Sequence, residues 1–168
     1  MESKAHHIAA TIVAAHLSKY HRIRGVFNLA SHLDKSEHVV FDPERASVGT
    51  TYGAGPREQD PEVLKERAII DLSGHEAEEI YHIVNHLPAH GRQMGDHDSI
   101  LDDAMNGIGD LGVKRCDLVQ HTLDLVSRNW FAVHDLARLM MLSQDRTLDS
   151  RAAVQRLDKL LSPQSFID

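Results

Sequence analysis

At 168 residues the chain is long enough for one domain with a real hydrophobic core, and a single domain over 1–168 is expected. Its 42% hydrophobic and 26% charged residues are ordinary for a soluble globular protein, while a net charge of -7 argues against non-specific nucleic-acid binding, which needs clustered Lys and Arg. Cys116 is the single cysteine, so no intrachain disulfide can form and a reducing, cytoplasmic setting fits.

The first segment, Glu2 to Tyr20, reads as a helix, because His6, Ala10, Val13 and Leu17 recur at spacings of one turn. Its longest apolar run, Ile8 to Ala15, is too short to span a bilayer, so no membrane association is expected. Gly25 reads as the end of this region. Arg24 to Ala30, Glu37 to Phe41 and Val48 to Tyr52 lean towards short strands, separated by turns at Asp34-Lys35-Ser36 and Asp42-Pro43.

A second helix starts at Pro61, where a missing N–H is harmless, with Asp60 as its N-cap, and runs to about Leu87 before Pro88. Its buried stripe reads Ile69, Ser73, Ala77, Ile80, Val84 and Leu87. A short helix follows from about Ser99 to Ile108. The periodicity then predicts one long helix, Val113 to Ser143, with a stripe of Val119, Leu123, Val126, Trp130, Val133, Ala137 and Met140. Ser150 reads as the cap of a last helix, Arg151 to Leu161. The expected class is mainly α: a compact helical domain with a small β element between the first and second helices.

Four segments carry a family resemblance: Ala5 to Ala14, Val48 to Tyr52, Ala68 to Ile80, and Leu123 to Leu139 with Thr147-Leu148-Asp149. In order and spacing they resemble the protease domain of FtsH-type ATP-dependent zinc metallopeptidases. That family's first helix reads H-E-A-G-H, and its third zinc ligand is an Asp at the start of a later helix. The ATPase signature G-x-x-x-x-G-K-[ST] is not in the chain.

A zinc peptidase needs two His one turn apart, so that both imidazoles reach one metal, and a Glu between them as general base. By the resemblance, His6 holds the first ligand position, His7 replaces the catalytic Glu, and Ala10 replaces the second His. Asp98 is the counterpart of the third ligand, with Asp96 and Asp102 as rivals. The leading expectation is therefore a stand-alone peptidase-like domain with a degraded zinc site. It would act as a non-catalytic binding or regulatory protein, with a peptide or protein as partner by strand addition, and with either no cofactor or zinc. The alternative is a metal-dependent peptidase or hydrolase with substituted ligands, His97 or another distant His filling the vacancy at Ala10.

The chain's 13 histidines offer other candidates. His75, Glu79, His82 and His86 share a helix face and contain one E-x-x-H, the di-iron helix pattern, without a second copy; this face reads as solvated. His97-Asp98 and His134-Asp135 spell the dipeptide of HD-type phosphohydrolases, for which His6 or His7 and Asp149 would supply the remaining ligands. His134 itself reads as a helix-surface residue.

Overall fold

The structure, a computed structural model, describes residues 1–30, 38–47, 55–88, 94–108 and 112–161, with the side chains of 46, 47 and 94–97 also outside the description. The expected strand Val48 to Tyr52 lies outside the described residues. The class is as expected: mainly α, with small two-stranded β elements.

Helix α1 (Glu2–Leu17) is the central element. Every residue from Ala5 to Ala15 is buried, which is the pattern of a helix covered on all sides rather than along one stripe. Five alanines in that run let neighbouring helices approach closely. The helix stops at Leu17, three residues before the sequence pattern does, and the reason is on another helix. The backbone N–H groups of Lys19 and Tyr20 donate to the Glu66 carboxylate at 2.8 and 2.7 Å, so they are not available to continue α1. Ser18 closes the turn, its hydroxyl 3.0 Å from both the N–H and the C=O of His21.

Strand β1 (His21–Ile23) pairs antiparallel with β3 (Val39–Phe41), Ile23 opposite Val39. Gly25, at φ 77°, turns the chain into β2 (Val26–Asn28). The expected strand from Arg24 to Ala30 is thus shorter, and its partner is remote: β2 pairs antiparallel with β4 (Thr147–Asp149), Phe27 opposite Leu148. Thr147-Leu148-Asp149 is a strand that the sequence reading did not expect. Between the two sheets' first strands and the next long helix, Asp42 caps a short helix, α2 (Pro43–Ser47), its Oδ1 accepting from Glu44 N and Arg45 N.

Helix α3 (Pro61–Val84) begins as expected at Pro61 with Asp60 at the N-cap. Up to Ala77 it buries two flanks. Ile70 and Ala77 join the core around α1, while Ala68, Ile69 and Leu72 pack with Leu101, Ala104 and Ile108 of α4 (Met94–Ile108) and with Leu118. The expected stripe fails at its C-terminal end: Val84 and Leu87 are exposed, because α3 projects past the end of the core there.

The single long helix expected from Val113 to Ser143 is two, α5 (Arg115–Arg128) and α6 (Trp130–Leu142), joined at Asn129. Asn129 sits at φ -107°, ψ 18°, and its side-chain NH2 donates to Leu125 O at 2.8 Å, a local bond that competes with continued helix. The break changes which face is inside. In α6 the stripe of Val133, Ala137 and Met140 is buried as expected, whereas in α5 the buried residues are Leu118, Thr122 and Val126, with Val119 and Leu123 half-buried. Thr122 disposes of its hydroxyl by donating to Leu118 O. Finally α7 (Ser150–Leu160) is capped by Asp149 rather than Ser150: the Asp149 carboxylate accepts from Arg151 N and Ala152 N.

Candidate functional site

His6 and His7 are adjacent on α1 and project about 100° apart around the helix, so they serve different neighbours. Both are buried, which is unusual for polar side chains.

His6 turns towards α6 and the far end of α3. Its Nδ1–H donates to the Glu2 carbonyl at 2.8 Å, and its Nε2 lies 3.0 Å from Nδ1 of His134. With the His6 proton fixed on Nδ1, the neutral ring accepts at Nε2 and His134 is the donor. The Trp130 ring stacks on His6 with centroids 5.3 Å apart, and Tyr81 lies 4.5 Å away on a tilted plane. Burial depresses the His6 pKa below its ordinary value, the Glu2 hydrogen bond opposing this and His134 adding to it. Both ring nitrogens are engaged, and the expected partner Asp98 is not among them: it is exposed on α4. Ala10, in the position of the missing second His, is fully buried in the apolar core.

His7 turns towards α3, where the sequence places Gly74, His75 and Glu78 on about one helical turn. A Cβ added at Gly74 would overlap the His7 ring, falling 2.8 Å from Cε1 and closer still to Cδ2 and Nε2. The absent side chain is therefore what lets the imidazole lie against the backbone of α3. His7 Nδ1 then sits 3.1 Å from the Glu78 carboxylate, and the His75 ring meets His7 edge-on, centroids 4.9 Å apart at 70°.

These three residues form a metal-ligand constellation. One donor atom from each of His7, His75 and Glu78 lies within 4.8 Å of the other two, and among the described residues this group of three His, Cys, Asp or Glu is the one that could hold an ion. Neither His6 nor Asp98 belongs to it; the side chain of His97 lies outside the described residues. Two imidazoles and a carboxylate suit Zn²⁺ and its first-row neighbours better than Ca²⁺ or Mg²⁺, which prefer all-oxygen shells. At metal–ligand distances of about 2.0–2.2 Å, tetrahedral ligand atoms stand roughly 3.3 Å apart. The His7–Glu78 pair already meets that spacing. The half-buried His75 completes the group at a wider spacing, within 4.8 Å.

Sequence reading placed His7 beside His6 and Asp98, neither of which belongs to this group. Its signal was the H-H dipeptide beside an apolar run; the missed signal was Gly-His-x-x-Glu at 74–78, in which His75 and Glu78 stand at i,i+3 behind a glycine. The face carrying His75, Glu79 and His82, expected to be solvated, is half-buried instead, and His86 is exposed. The HD-type ligands are otherwise employed: Asp135 holds Arg156 through two hydrogen bonds of 2.7 and 2.8 Å, and Asp149 caps α7.

Comparison with protein-family models, with curated proteins and with solved structures found no match to this chain.

Proposed function

We propose that this chain is a metal-binding helical protein, in which His7 of α1 and His75 and Glu78 of α3 hold one divalent transition-metal ion, with zinc the best fit. The observation that carries this reading is the convergence of the three donor atoms within 4.8 Å across two helices that pack together. A cluster of Glu76, Glu78 and Glu79 on the same stretch of α3 adds a negative field that favours a cation. Three protein ligands leave a coordination position for water, which is the arrangement of zinc hydrolases rather than of closed structural sites. The reading thus favours a hydrolase with substituted ligands, His75 standing where sequence reasoning allowed for a distant His.

A second reading keeps the peptidase-like domain with a lost metal site and a binding role. Its support is the state of His6 and Ala10: one ring fully hydrogen-bonded, one methyl group in the core.

Elemental analysis after exposure of tag-free protein to zinc and gel filtration separates the two. The metal-binding reading expects one zinc per chain, lost in His75→Ala and Glu78→Gln, both at half-buried positions that a folded protein tolerates. Folded wild-type protein without zinc, or zinc retained in both variants, overturns it; the first of these results is what the second reading expects.

A further inference from the structure

Beside the His7 cluster but lined by other residues, the N-terminus of α1, the last turn of α3 and one face of α6 form an open cleft of about 540 Å³. That volume lies in the range of small-molecule sites. Its apolar wall includes Tyr81, Trp130 and Phe131, and Phe131 is 45% exposed although it is a large hydrophobic residue. Four polar residues that matter to a ligand stand among these rings: Glu2, His6, His134 and Arg138.

Their hydrogen bonds show which charge is open to a ligand. Glu2 accepts the Tyr81 O–H, a bond that holds the Tyr81 pKa above its usual value. His6 and His134 are joined to each other. Asp135, the carboxylate whose field reaches Arg138, is itself held by Arg156 in a two-point bond. Among the described residues the Arg138 guanidinium has no hydrogen bond or ion pair, yet it lines the cleft beside three aromatic rings. A guanidinium offers a planar fork of donors that matches a carboxylate, and aromatic walls favour a flat apolar body.

From this placement we propose that the cleft is a binding site for a small aromatic carboxylate, its ring against the cleft's aromatic wall and its carboxylate on Arg138. The site does not depend on the metal reading, since it shares no residue with His7, His75 and Glu78.

Trp130 is the sole tryptophan of the chain, so its fluorescence reports on the cleft directly. The test titrates the wild type and Arg138→Gln with benzoate, with the uncharged benzamide and with the cationic benzylamine. Arg138 is exposed, and the variant is expected to fold as the wild type does, with circular dichroism as the check. The expected result is saturable quenching by benzoate, weakened about tenfold or more in Arg138→Gln, the loss expected for one charge-assisted carboxylate contact. Benzamide is expected to bind wild type and variant alike. No saturable response to benzoate, an equal response in the variant, or tighter binding of benzylamine than of benzoate would overturn the proposal.

Discussion

The imidazole of His7 occupies the space that a side chain at residue 74 would need. This ties α1 to α3 through a single pair of positions. Gly74→Ala gains helix propensity of about 1 kcal/mol but forces the ring aside, an overpacking cost of about 1–3 kcal/mol. Urea denaturation should therefore show net destabilisation. In the background of His7→Ala the same change should be neutral or stabilising, because the obstructing ring is gone. A double-mutant cycle showing no coupling between the two positions would contradict this packing.

Glu66 supplies a pH test away from the candidate site. Burial acts to raise its pKa, but hydrogen bonds from His21 and from the N–H groups of Lys19 and Tyr20 outweigh it and hold the carboxyl below the ordinary 4.5. A depressed carboxylate contributes stability that is fully present above the unfolded-state value and is lost as pH falls through the folded-state value. Thermal unfolding measured downward from pH 5 should show this loss in the wild type. Glu66→Gln should be less stable at neutral pH and should show a shallower dependence in the acid range; an unchanged slope would rule out this role.

The cap of α7 can be assigned by substitution. Asp149→Ala removes the acceptor for Arg151 N and Ala152 N and should cost about 1 kcal/mol, whereas Ser150→Ala should change stability by less than half of that. The reverse order in chemical denaturation would restore Ser150 to the role its sequence position suggests.

Two leucines on α6 probe how the helix is covered. Leu136 is fully buried in the core around α1, and Leu136→Ala should lose about 2–5 kcal/mol. Leu139, 40% exposed, should lose well under half as much on the same change. Equal losses in denaturant melts would mean that α6 is rotated from the orientation described.

Where local chemistry decides, the sequence was readable. Pro61 after Asp60 marked the start of α3, and the spacing of Val133, Ala137 and Met140 marked the inner face of α6. Where a distant group decides, it was not. The end of α1 depends on Glu66, 46 residues from Tyr20, capturing two backbone N–H groups, and the strand at 147–149 exists because β2 lies beside it. Asn129 was a local signal that the strong apolar period around it concealed. The candidate site followed the same division. A motif-based reading drew His6 and Asp98 together, whereas the structure has Asp98 exposed on α4 and the His7 ring in the gap beside Gly74. No periodicity reveals which side of a helix buried all round will meet which neighbour.

That all-round burial of α1 has a consequence for biosynthesis. Residues 5–15 leave the ribosome long before Leu136, Met140 and Leu157, which complete their cover. Until those arrive, one flank of the helix stays uncovered even with α3 in place, and its contacts span most of the polypeptide, a topology that folds slowly and invites aggregation. Successful expression should thus depend more on chaperone supply and synthesis rate than the modest size of the molecule suggests.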